Sequence, residues 1–180
     1  LTLGDATGIR GFTVDDKSGL LREVDGSPFG KGAIFRGGLA FSPDGRFIYG
    51  GQMVGFAIAD SGALTPIGGQ PLADVGLSDP HAQHLAVAPN GRWAFALNTA
   101  ANTIRAVALD AKTGVPSPIG APLTIGGSPY SLAIDPEGRF VWVGQDSGQL
   151  AVLSIDGTSG ALTQVAGSPF MTGGLQPQVL

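Results

Sequence analysis

Two histidines stand three positions apart in the segment Asp79-Pro80-His81-Ala82-Gln83-His84. Histidine titrates near neutral pH, so His81 is the natural candidate for a general base that takes a proton from an attacking water. Asp79, two residues earlier, is placed to orient that imidazole if the loop folds back on itself. Arg36 carries a guanidinium that stays charged, and it could hold a carboxylate or phosphate or steady a developing oxyanion. These three form the candidate catalytic set: His81, Arg36 and Asp79. The plainer reading gives both histidines a loop-capping role and Arg36 a loop-anchoring one.

Other polar residues are expected to contact a ligand: Asn98, Tyr130, Gln145 and Asp146. A calcium ion held by Asp146 with Gln145 or Asn98 would need more oxygen ligands than any loop here offers, so turn formation is the better reading. Zinc would need three or four convergent ligands, and histidines three apart on a strand diverge. No metal and no cofactor are expected. The chain has no Gly-x-Ser-x-Gly elbow, no phosphate-cradling glycine loop and no His-Glu-x-x-His.

The elements that position these residues follow from a repeat. GGLAFSPDGRFIYG (37–50), QHLAVAPNGRWAFALN (83–98) and YSLAIDPEGRFVWVGQ (130–145) share one pattern, with Pro43, Pro89 and Pro136 spaced 46 and 47 residues apart. A second segment recurs four times, at 8–29, 54–72, 104–123 and 149–170, and alternates with the first. Each unit of roughly 46 residues holds four short apolar runs bounded by turn residues, such as SLAI, RFVWVG, LAVLSI and ALTQVA in the last copy. Four antiparallel strands per unit of this size predict an all-β chain of propeller blades. The repeats divide at approximately 1–36, 37–82, 83–129 and 130–176.

The phase of the repeat raises the question of closure. The chain opens near the end of a second strand, and PQVL (177–180) reads as the start of a first strand that could complete the N-terminal blade. About four blades are therefore expected, as part of a larger ring; a closed four-blade ring or two chains meeting are the alternatives. Leu1 stands where an initiator Met would be, so the chain is expected to be a processed or truncated piece of a longer product.

Turn chemistry sorts the loops onto two faces. Pro43–Gly45, Pro89–Gly91 and Pro136–Gly138 share one face with the loops that follow Asp15, Asp110 and Asp156. Arg46, Arg92 and Arg139 recur with them, and recurrence argues for capping carbonyls or pairing across blades. Trp93, Trp142, Phe47 and Phe140 follow the strand pattern and are expected between blades. The opposite face carries the blade-to-blade loops (29–38, 72–83, 123–130) and the links 50–55, 97–103 and 144–149. Its residues vary between copies, and every candidate above lies there; variable loops on a rigid scaffold are where sites are usually built.

Composition narrows the partners. Thirty glycines, thirteen prolines and 13% charged residues fit a turn-rich, well-buried chain. A net charge of −4 without any Lys/Arg block gives no footprint for nucleic acid and no pull toward anionic lipid. No apolar stretch approaches a membrane span. There are no cysteines, hence no disulfides and no thiolate metal site.

Ile-Asp-x-x-Ser-Gly-Ala-Leu-Thr, Gly-Ser-Pro-Phe and Leu-Ala-Ile-Asp-Pro-x-Gly-Arg-Phe closely resemble the propeller lactonase-like family, which includes propeller-type 6-phosphogluconolactonases and bacterial surface repeats with a Tyr-Val-Thr-Asn motif. The resemblance covers nearly the whole chain and implies a ring of about seven blades. Enzymatic members carry Pro-His-x-His entering an inner strand. His81 matches the first histidine, Gln83 stands at the second, and His84 lies one residue further, a step that alternation sends to the opposite strand face. The half-kept motif and uniform repeats lead to a first expectation: an extracytoplasmic scaffold, secreted, periplasmic or on the cell surface. It would bind a protein, glycan or small lactone on the variable-loop face, with self-association to close the ring. The alternative is a lactone hydrolase using His81 as base.

Overall fold

The computed structural model describes residues 2–5, 8–30, 38–50, 53–68 and 82–174, with the side chains of 2–5, 82 and 83 left aside. The structured elements are all strands, in four antiparallel sheets. The first sheet holds β1 (Thr2–Asp5), β2 (Gly8–Val14) and β3 (Leu21–Glu23). The second holds β4 (Ala40–Phe41), β5 (Phe47–Gly50), β6 (Val54–Ile58) and β7 (Leu64–Pro66). The third is β8 (Ala82–Val87), β9 (Trp93–Asn98), β10 (Thr103–Leu109) and β11 (Pro116–Thr124). The fourth is β12 (Pro129–Ile134), β13 (Phe140–Gln145), β14 (Gln149–Ile155) and β15 (Leu162–Gln164), with β16 (Phe170–Met171) added along β14. The expected succession of antiparallel blade sheets is therefore present, with three strands described in the first and the short β16 as a fifth in the last. The segment 177–180, read as the start of a first strand, lies outside the described residues.

Each sheet is a meander, because its connections are too short for anything but antiparallel neighbours. The tight links carry their own chemistry. Asp15, Asp110 and Asp156 each accept hydrogen bonds from the two backbone N–H groups two and three residues on, and from the hydroxyl of Ser18, Thr113 or Ser159. These bonds hold all three carboxyls below the usual Asp range. Gly19, Gly114 and Gly160 then close the loops with φ near +70°.

The core lies between the blades. Ile9, Ile48, Val54, Phe56 and Leu64 pack the first sheet on the second. Phe47, Tyr49, Met53, Val107 and Leu109 join the second to the third, where Ala94 and Ala96 make room for the two rings. Trp93, Phe95, Leu97, Val141, Val143 and Leu153 join the third to the fourth. All six residues of β9 are buried, as expected for a strand covered on both faces. Burying each large apolar side chain contributes roughly 1.5–3 kcal/mol.

The recurrent arginines stitch successive blades together. Arg46 lies over the Phe47 ring and donates to the Ala111 carbonyl at 2.6 Å, in the Asp110 loop of the next blade. Arg92 lies over Trp93 and donates to the Thr158 carbonyl, in the Asp156 loop. Tyr49 adds a bond from its hydroxyl to the Gly114 carbonyl at 2.8 Å. The carbonyl-capping role read from recurrence holds for Arg46 and Arg92.

Candidate functional site

The variable face is built where inner strands begin and the second-to-third-strand links turn over. In the third blade, Ala82 pairs with Asn98 and His84 with Leu97, so Gln83 is an extra residue on β8. The fourth blade repeats this: Pro129 pairs with Gln145 and Ser131 with Gly144, leaving Tyr130 as the extra residue on β12. Such bulges re-aim side chains and break the strict two-residue alternation. Counting alternate faces through Gln83 therefore does not place His84 relative to residues before the bulge. His84 is half-buried, and that burial lowers its pKa below the ordinary histidine value.

Backbone strain marks the same face. Among the described residues, three non-glycine residues have positive φ: Met53 (52°), Asn102 (54°) and Ser128 (48°). Met53 and Asn102 sit in second-to-third-strand links, and Ser128 in the link between the third and fourth blades. Held strain of this kind clusters at functional sites. Gly126, Gly127 and Ser128 are three consecutive left-handed residues directly before β12. The sequence reading passed over Ser128; the run Gly126-Gly127-Ser128-Pro129 was the available signal.

The predicted ligand contacts divide into two kinds. Gln145 is fully buried, and its amide donates to the carbonyls of Ile125 and Gly126, both at 3.1 Å. Its Nε2 thus holds the 125–128 loop, while its Oε1 is buried and has no hydrogen-bond partner among the described residues. Asn98 is likewise buried, and its side-chain oxygen accepts from the Ala101 N–H at 2.9 Å, capping the 99–101 turn. Tyr130 and Asp146 differ. Asp146 is exposed, and its backbone N–H donates to the Ser128 carbonyl at 3.1 Å. The Tyr130 hydroxyl is shielded and, among the described residues, has no hydrogen-bond partner. Its burial and the Asp146 charge both raise its pKa. Ser128, Tyr130 and Asp146 thus share one corner of the face, with a hydroxyl donor, a carboxylate and a strained serine.

The candidate catalytic residues His81, Arg36 and Asp79 lie outside the described residues. His81 immediately precedes Ala82, the residue of β8 that pairs with Asn98.

The opposite face carries a cleft of about 140 Å³ between the second and third blades, lined by Asp44, Arg46, Tyr49, Arg92 and Asp110 among others. Asp44 accepts from the Ser42 hydroxyl at 2.6 Å and from Arg46, which brings its pKa to about 2. These are the turn-forming and blade-stitching residues of the repeat.

The family model "Lactonase, 7-bladed beta-propeller" matches residues 5–174. The chain belongs to that family. A 6-phosphogluconolactonase of Sodalis glossinidius is 37% identical over 93 residues, covering 51% of this chain and 28% of the relative. The solved periplasmic gluconolactonase of Pseudomonas aeruginosa is 28% identical, with a TM-score of 0.60 over 73% of this chain and 40% of that one. A Bacteroides uniformis protein proposed to be a 6-phosphogluconolactonase shares the fold at 21% identity, with a TM-score of 0.71 over 92% of this chain and 49% of that structure. The lactonase-propeller chain thus spans about half the length of that structure. These likenesses favour the hydrolase alternative over the scaffold reading, which gives way to it.

Proposed function

We propose that this chain is part of a lactone hydrolase acting on sugar-acid lactones, free or phosphorylated. The observation that carries this reading is the family match across 5–174, supported by relatives named 6-phosphogluconolactonase and gluconolactonase. The site is the variable-loop face, where strain, bulged inner strands and unrepeated polar residues coincide.

In this reading His81 takes a proton from water as the water oxygen bonds to the lactone carbonyl carbon. Arg36 steadies the oxyanion, or an acidic substituent of the sugar, and Asp79 orients the imidazole. Collapse of the intermediate breaks the ring C–O bond, and the imidazolium returns its proton to the departing alkoxide. The product is the open hydroxy acid. Only water is consumed, so the reaction needs no redox or group-transfer co-substrate. Asp146, exposed on that face, is suited to accept a hydrogen bond from a sugar hydroxyl. Likeness to a periplasmic gluconolactonase supports a periplasmic location.

The test is lactone turnover by the protein and by His81→Ala, using gluconolactone and its 6-phosphate. Turnover that falls by about 10²–10⁴-fold in the variant fits loss of a general base. No turnover by the parent protein, or turnover untouched by the substitution, overturns the proposal.

A further inference from the structure

The link from the third blade to the fourth is held by four hydrogen bonds. The Ile125 N–H donates to the Asn102 carbonyl at 3.0 Å, and the Asp146 N–H to the Ser128 carbonyl at 3.1 Å. Between them, Gln145 Nε2 reaches the Ile125 and Gly126 carbonyls, both at 3.1 Å. The donors left over are consecutive. Among the described residues, the N–H groups of Gly126, Gly127 and Ser128 have no hydrogen-bond partner.

Their direction is fixed. In a planar trans peptide the carbonyl and the N–H that follows it point opposite ways. The Ile125 and Gly126 carbonyls converge on one buried nitrogen, so the N–H groups of Gly126 and Gly127 point side by side away from it. Gly126, Gly127 and Ser128 have φ of 66°, 65° and 48°, and successive N–H groups in such turns make a concavity for a negatively charged oxygen. Glycine is needed at 127 on two counts: its φ is left-handed, and an added side-chain carbon would lie 2.5 Å from Gln145 Cδ. Asn98, which pairs with Ala82 as Gln145 pairs with Pro129, caps its own turn instead.

We propose that the Gly126 and Gly127 N–H groups, with the exposed Ser128 beside them, form the oxyanion site for the lactone carbonyl, and that Gln145 is its positioning residue. The inference rests on the hydrolase reading for its catalytic meaning. As water adds to the carbonyl carbon, the C=O electron pair moves onto the oxygen held by the two N–H groups. It returns when the ring C–O bond breaks. Donors already aimed at that oxygen stabilise the charge as it forms. Ser128 stands 47 residues after His81, one repeat on, and leads into β12, which packs beside β8. Arg36 is left for an acidic substituent of the sugar. The exposed Asp146 carboxylate at this corner disfavours a doubly charged phosphate and suits a ring hydroxyl. A carbonyl oxygen, uncharged until water adds, fits both conditions.

Amide NMR of the 180-residue chain tests this, with D-gluconate and inorganic phosphate as probes. Gluconate should move the Gly126 and Gly127 amide protons downfield, saturably and by more than any other amide; phosphate should not. In Gln145→Leu that response should be lost while the spectrum stays dispersed, and the parent spectra alone decide if the variant fails to fold. Gluconate that leaves 126–128 unmoved, or phosphate that moves them as strongly, overturns the proposal. Initial rates with gluconolactone are the second arm. Gln145→Leu should lower kcat by about 10²-fold with KM within a few-fold of the parent, as for loss of an oxyanion donor. An unchanged kcat overturns the positioning role. No turnover by the parent, with the gluconate response intact, sinks the hydrolase reading and leaves 126–128 as a site for a sugar-acid carboxylate.

Discussion

Gly114→Ala measures how tightly successive blades are seated. Gly114 has φ +72°, and holding alanine there costs about 1 kcal/mol in the left-handed region. The added methyl would also lie 2.5, 2.7 and 2.9 Å from three atoms of the buried Phe47 ring. Overpacking of that kind costs about 1–3 kcal/mol, because the ring is already enclosed by Tyr49, Val107 and Leu109. The total is about 2–4 kcal/mol. For a chain of this size, each kcal/mol lowers Tm by roughly 2–4 °C, so a fall of about 4–16 °C is expected. Gly45→Ala is the matched control, having the same φ of +72° with nothing within 4 Å of the added methyl. It should lose only the conformational part, about 2–4 °C. Thermal melts by circular dichroism read both. Equal losses would refute the claim that the loop glycine is fixed by contact with the neighbouring blade.

Tyr49→Phe removes the bond to the Gly114 carbonyl and should cost about 1 kcal/mol at neutral pH. Burial pushes the Tyr49 pKa from 10.0 to about 12. The unfolded chain therefore loses the phenolic proton first, and stability falls as pH rises from about 10 to about 12. In Tyr49→Phe the alkaline limb of a Tm-against-pH curve should be shallower. Asp44 has the opposite sign. Its pKa is depressed to about 2, so its contribution is present above pH ~4 and disappears as pH falls through about 2. The carboxylate is half-exposed, so Asp44→Ala should cost less than about 1 kcal/mol at pH 7 and nothing at the acid end of the same melts. Gln145→Leu should cost about 1–3 kcal/mol by stranding the Ile125 and Gly126 carbonyls. Hydrogen exchange should show faster protection loss at 125–128 than at the Asp110 loop.

The blades were legible because the sequence writes them repeatedly. Pro43, Pro89 and Pro136 with their following glycines and arginines mark every first turn. Asp15, Asp110 and Asp156 mark the later loops, and the apolar runs between them have nowhere to go but a sheet. The variable face offers no such redundancy. Gln83 and Tyr130 are bulged only relative to their partner strands, so alternation along one strand cannot reveal them. Gln145 looked available because it is polar and ends a strand; the loop folding over it decides its burial. Ser128 hid because serine seldom adopts a left-handed conformation, although the glycines before it advertised one.

The most direct test of the lactonase reading is initial-rate hydrolysis of 6-phosphogluconolactone by the protein, with His81→Ala and His84→Ala beside it. The account predicts turnover above the spontaneous rate. That turnover should fall by about 10²–10⁴-fold in His81→Ala and stay within a few-fold of the parent in His84→Ala. Rates equal to the spontaneous reaction, or a His81→Ala variant as fast as the parent, would contradict it.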